Sequence, residues 1–229
     1  MSMARCLNKA IRVALWAVSG TSLCLMTACS SSQSAAFMAL RNVARPNAAI
    51  DSSPLNPKLT YLRVTVNDKP LLMVLGYVDR SSSEWPEQVW YSASGEVLRL
   101  RAGRLAGLVG TPVEWRSVRW PAGLPAWGAE PVSPAPYKRL LDEMPGYRLG
   151  VEDTLRLQAI APPGSTAWRG SASADVRWYQ EVPSSGSTSA RYAVRQTASG
   201  AVPVYGEQCL AADFCLTWQS WPPLPKTTP

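Results

Sequence analysis

The stretch Tyr61-Leu62-Arg63-Val64-Thr65-Val66, followed by Asn67-Asp68-Lys69-Pro70 and then Leu71-Leu72-Met73-Val74-Leu75-Gly76-Tyr77-Val78, decides the fold. Leu62, Val64 and Val66 alternate with Tyr61, Arg63 and Thr65, the period of a strand with one face buried. The Asn-Asp-Lys-Pro segment is a turn. The nearly unbroken apolar run after it suits a strand covered on both faces. Downstream the pattern repeats. Val89-Trp90-Tyr91 is strand, Ala93-Ser94-Gly95-Glu96 turns, Val97–Arg101 alternates, and Ala102-Gly103-Arg104 turns into Leu105–Val109. Hairpins on short loops are the mark of an antiparallel meander.

Beyond this block, strands are expected at 113–120, 147–150, 154–161, 175–182, 192–197, 202–205 and 216–221. Pro162-Pro163-Gly164 and Ser184-Ser185-Gly186-Ser187 fall between them as turns. Residues 121–136 form a Pro/Gly/Ala-rich loop. Tyr137–Glu143 is read as the one short helix of the body, with Lys138/Asp142 and Arg139/Glu143 as i,i+4 ion pairs. The expected fold class is all-β: an antiparallel β-barrel or barrel-like sandwich of about ten or more short strands, as a single domain over 58–229.

The 57 residues before this domain carry a different message. Arg5, Lys9 and Arg12 are followed by Val13–Ala28, a run of apolar or small residues without charge that stops at Cys29. The run is shorter than the roughly 20 residues of a membrane span, and Thr27-Ala28 before the cysteine are small, as a cleavage site requires. Residues 1–28 therefore read as a lipoprotein signal peptide, with Cys29 as the lipidated residue. An ordinary secretory signal or a short anchor is the alternative. Ser30 stands where an inner-membrane retention signal would have Asp, so the expected place is the outer membrane, lipid-anchored, on its periplasmic face. More than one acyl chain is needed for stable anchoring. Residues 29–57, rich in Ser, Ala, Asn and Pro, read as a lipidated tether, with a short helix at Ala36–Val43 as one option.

Composition narrows the chemistry. The chain has 23 basic and 16 acidic residues; three of the basic ones go with the leader, leaving 20 against 16. With no run of five or six basic residues, nucleic acid is not an expected partner. Histidine is absent, which removes Ser-His-Asp and Cys-His arrangements and His-based metal sites. No catalytic residue, cofactor or metal ligand is assigned. The adjacent acids Asp142-Glu143 and Glu152-Asp153 would point to opposite faces of a strand, so neither makes a good catalytic pair. Acids distant in sequence could still converge, as glycosidase carboxylates do. Cys209 and Cys215, an even pair in an oxidising compartment, are expected to form a disulfide; a metal pair would lack a third thiol and a histidine.

Tryptophan is in excess, with ten against two phenylalanines. Trp90, Trp178 and Trp218 sit inside strand patterns and are expected in the core. Trp85, Trp127 and Trp168 lie beside Pro, Gly or Ser in loops and are the candidates for exposure and for contact with a glycan, since an indole offers a flat apolar face and one N–H donor.

The residues Tyr61-Leu62-Arg63-Val64, Leu75-Gly76-Tyr77-Val78, Val89–Leu98 and Gly103-Arg104-Leu105 carry a resemblance. The block Leu59–Gly110 resembles the YjbF/GfcB family of bacterial lipoproteins, associated with capsule and exopolysaccharide production. Arg191-Tyr192-Ala193-Val194, Ser199-Gly200 and Trp218-Gln219-Ser220-Trp221-Pro222-Pro223 match more loosely. Cys209/Cys215 and the serine-rich loop at 184–189 depart from the family pattern. The resemblance implies a non-enzymatic outer-membrane lipoprotein with a barrel-like body. It would assist polysaccharide secretion or assembly, with the polysaccharide and other export proteins as partners. The alternatives are a carboxylate-based glycan-active enzyme and a structural envelope scaffold.

Overall fold

The computed structural model describes residues 50–52, 54–80, 85–128, 135–170 and 174–223. The expected signal peptide, Cys29 and the optional helix at 36–43 lie outside the described residues. Twelve strands form the body: β1 (Tyr61–Val66), β2 (Lys69–Asp79), β3 (Glu87–Ser92), β4 (Val97–Arg101), β5 (Arg104–Val109), β6 (Glu114–Arg119), β7 (Tyr137–Met144), β8 (Arg148–Ile160), β9 (Val176–Pro183), β10 (Ala190–Thr197), β11 (Gly200–Ala211) and β12 (Phe214–Trp221). Each pairs antiparallel with its neighbour in sequence, and β1 pairs with β12 to close a barrel. Closure leaves no open sheet edge among the described strands.

The barrel is all-β, as the alternation at 61–66 and 97–101 requires. The expected helix at Tyr137–Glu143 is instead β7. Its charges pair across to β8 rather than along a helix: Lys138 with Glu152 at 2.8 Å and Arg139 with Asp153 at 2.6 Å. Among the described residues no helix is present. The two halves of the Glu152-Asp153 pair do diverge: Glu152 is half exposed and Asp153 buried.

Inward side chains fill the lumen. Leu62, Val64, Met73, Leu98, Leu100, Val194, Leu216 and Trp218 belong to one buried cluster. Gly206 makes room for Trp218: a Cβ there would lie 2.4 Å from the indole. The outer wall over β3–β8 is charged, with Glu87–Arg101 at 2.8 Å, Arg116–Glu114 at 2.9 Å and Arg119–Asp142 at 3.4 Å. A membrane-spanning barrel carries an apolar band on that face; this wall is built to face water.

Elsewhere outside, two apolar clusters are covered by chain. Trp178, Ala193, Val204 and Tyr205 pack beneath Trp168. Tyr61 and Val74 pack beneath Leu55 and Leu59. The last residues of the expected tether are thus docked on the barrel. Ile50 is buried, and Asp51 binds Arg63 at 2.8 Å and Arg169 at 2.9 Å.

Cys209 and Cys215 are opposite each other on β11 and β12 and form a disulfide. Asn67 ties the same hairpin to the β1–β2 turn. Its amide N–H donates to the Cys215 carbonyl at 3.0 Å and its side-chain oxygen accepts from the Cys215 N–H at 2.9 Å. The bridge closes a short loop, so its reduction should cost roughly 2 kcal/mol and leave the hairpin paired. Denaturant midpoints with and without reductant, alongside alkylation mass shifts, check this; two alkylatable thiols in the unreduced native protein would contradict it.

Candidate functional site

One end of the barrel gathers both ends of the strand ladder, the starts of β1, β3 and β11, and the longer connections. There the Ala102-Gly103 turn between β4 and β5 leans across the lumen toward β11, which is not its neighbour in the sheet. Contact is close: a Cβ on Gly103 would lie 2.2 Å from the Pro203 Cβ. Ala102 and Gly103 both have positive φ, 48° and 76°, the geometry of a tight two-residue hairpin turn. Two indoles hold it. Trp127 donates to the Ala102 carbonyl at 2.7 Å and Trp218 to the Gly103 carbonyl at 3.0 Å.

On one side of this bridge the end is plugged. Trp127, expected to be exposed, is only 7% exposed. Its ring lies 3.6 Å from the Arg104 guanidinium carbon and touches Tyr179 and Tyr192. Pro, Gly and Ala around Trp127 let the segment fold inward, and a slot built from distant strands receives the ring.

Beneath the plug sits a buried polar cluster that sequence reasoning did not find. Arg104 and Glu181, 1% and 2% exposed, form an ion pair. The Tyr137 hydroxyl donates to the same carboxylate, as does that of Tyr192 at 3.0 Å. Arg104 also donates to the Pro125 carbonyl at 3.0 Å. Burial, then the Glu181 charge, raises both tyrosine pKa values well above 10.0. The folded state therefore holds them neutral where the unfolded chain would ionise them. Their contribution to stability is fully present below about pH 10 and is lost as pH rises above it. Alkaline titration should show tyrosinate absorbance from these two residues appearing together with loss of the folded near-ultraviolet signal. Their ionisation within an intact fold would contradict the cluster.

On the other side of the bridge lies an open cavity of about 430 Å³, within the usual size of a ligand site. Its inner wall is Leu62, Trp90, Leu100 and Trp218; its rim includes Trp85, Pro86, Val202 and Pro203. Thr60, Gln88 and Ser220 add uncharged polar groups, and Arg80 the one charge among the described lining residues. Val202, 40% exposed, presents an apolar side chain at the opening. Of the three loop tryptophans, Trp85 lines this cavity. Trp168 does not: it packs edge-on against Trp178 on the outer wall, centroids 5.7 Å apart, and borders a small neighbouring cleft that shares Val204, Gln219 and Ser220 with the cavity. The three are not brought together. Trp90, Trp178 and Trp218 are buried as expected.

This barrel has a counterpart of known structure. The chain is similar in fold to the crystal structure of the hypothetical lipoprotein YmcC from Escherichia coli (K12). Identity is 14%, the TM-score is 0.54, and the match covers 83% of this chain and 94% of that one. At that identity the likeness shows the fold. No family model matches, and no curated protein matches.

The opposite end has a further cavity, of about 330 Å³, with Glu143, Glu152 and Asp153 in its lining. A glycan-active enzyme would need two such acids free and facing one another across a cleft. Here each acid is tied to a cation: Glu143 to Arg148 at 2.5 Å, Glu152 to Lys138 and Asp153 to Arg139. Asp153 also accepts from Ser185 at 3.2 Å, and Arg139 lies over the Trp115 ring at 4.7 Å. These contacts give the acids structural work.

Proposed function

We propose that this chain is an outer-membrane lipoprotein, anchored through Cys29 with its barrel in the periplasm, that assists secretion or assembly of a capsular or exopolysaccharide without catalysing a reaction. The leader ending at Cys29 supports the anchor. The resemblance of the 59–110 block supports the pathway, and the structural counterpart is itself described as a lipoprotein. The observation that carries the reading is the aromatic cavity at one end of the barrel. Indole faces with uncharged polar neighbours suit a sugar ring, which has apolar C–H faces and polar edges.

Two measurements test the proposal. Metabolic palmitate labelling should mark the wild-type chain and not Cys29→Ser, which should leave the membrane fraction. Deletion in the producing strain should reduce extracellular polysaccharide in amount or chain length. Unchanged amount and length would overturn the pathway assignment.

A further inference from the structure

We propose that the cavity beside the Ala102-Gly103 bridge binds an acidic sugar unit of a glycan, with the ring against Trp85 and the anionic group on Arg80. The inference rests on the secretion reading above and deepens it by naming the ligand class. Two observations carry it beyond a generic aromatic pocket.

The first is charge. Arg80 directly follows β2 at the cavity rim and is exposed, and no carboxylate lines the cavity among the described residues. The arginines around this end are otherwise engaged: Arg63 and Arg169 with Asp51, Arg101 with Glu87. Arg80 has no ion-pair partner among the described residues. A cation left unneutralised over an apolar floor attracts an anion, and its planar fork matches a carboxylate in two-point contact.

The second is shape. The cavity has an apolar aromatic wall on one side and Thr60, Gln88 and Ser220 on others. A fatty acyl chain would leave those polar groups without partners, at a cost for each one buried. A sugar ring covers the indole with its C–H face and meets the polar groups with its hydroxyls. An acidic sugar adds a counter-charge for the Arg80 guanidinium.

Titration of the detergent-solubilised full chain with hexagalacturonate and with neutral cellohexaose, followed by tryptophan fluorescence, tests this. Hexagalacturonate should bind saturably and about tenfold more tightly than cellohexaose, the worth of one charge-assisted contact. Arg80→Gln, at an exposed position, should erase that preference while leaving the unfolding midpoint unchanged. Trp85→Ala should weaken both ligands. Equal affinity for the two hexamers, insensitivity to Arg80→Gln, or no saturable binding would overturn the proposal. So would phospholipid found in the cavity by extraction and mass spectrometry. A deletion strain that loses polysaccharide while hexagalacturonate fails to bind would leave the secretion reading standing without this ligand. A deletion without effect would remove the secretion reading whatever binds.

Discussion

Replacing Glu181 with alanine should destabilise the barrel by about 3–5 kcal/mol, measured as a fall in the denaturant midpoint at constant slope. The carboxylate is the common acceptor for Arg104, Tyr137 and Tyr192, all within the lumen. Without it, a guanidinium 1% exposed keeps its charge and loses its counterion. Stacking on Trp127 compensates only in part, since a cation–π contact is worth about 2 kcal/mol when desolvated. Two hydroxyls also lose their acceptor. The same logic predicts that the double change Arg104→Met with Glu181→Leu recovers most of the loss, because removing both charges removes the penalty of leaving one alone. A loss below about 1 kcal/mol for Glu181→Ala would mean that water reaches the cluster and that the plug does not seal it.

Gly103→Ala should cost about 2–4 kcal/mol, because two separate effects coincide there. The added Cβ would meet the Pro203 Cβ at 2.2 Å and Cγ at 2.6 Å, and the backbone sits at φ 76°. Pro203 is on a strand across the lumen and cannot yield without moving β11. Pro203→Gly in the same chain removes the clash and leaves the backbone strain, so the double variant should regain roughly half the loss. Should Gly103→Ala prove neutral, the turn does not bridge the barrel, and the division of this end into a plugged side and an open cavity would be wrong.

The parts of this architecture written in local pattern were legible from the residues. Alternation at 61–66 and 97–101, with a two-residue turn between hairpin strands, states an antiparallel meander without any distant information. Closure of β1 on β12 is not in that pattern, because it depends on the twist summed over twelve strands. Tyr137–Glu143 reads as a helix for a physical reason, although it lies in β7. Lys138 and Asp142, Arg139 and Glu143 stand four apart, as helical pairs do, while Lys138 and Arg139 find their partners Glu152 and Asp153 on β8, more than ten residues away. The period-two signal was present in Tyr137, Arg139 and Leu141, all of which turn inward. Trp127 failed likewise: flanking Pro, Gly and Ala describe the segment's freedom, whereas Arg104, Tyr179 and Tyr192 decide where the ring goes. Arg104 reads as part of a turn by its neighbours Ala102 and Gly103; it is the first residue of β5, where its side chain enters the lumen.

The candidate site follows the same division. Trp85 stands out from its own neighbourhood, beside Pro86 in a loop. The cavity it lines does not, since it is assembled from the ends of strands that are adjacent only after closure. Arg80 drew no notice as a single exposed arginine; its setting among paired arginines and an acid-free wall gives it meaning.

The measurement that tests the account most directly is extracellular polysaccharide in the deletion strain, complemented with the wild-type chain or with the double variant Arg80→Gln/Trp85→Ala at matched protein level. Wild type should restore the polysaccharide in amount and chain length, while the folded, membrane-bound variant should leave it near the deletion value. Full restoration by the variant would contradict the account.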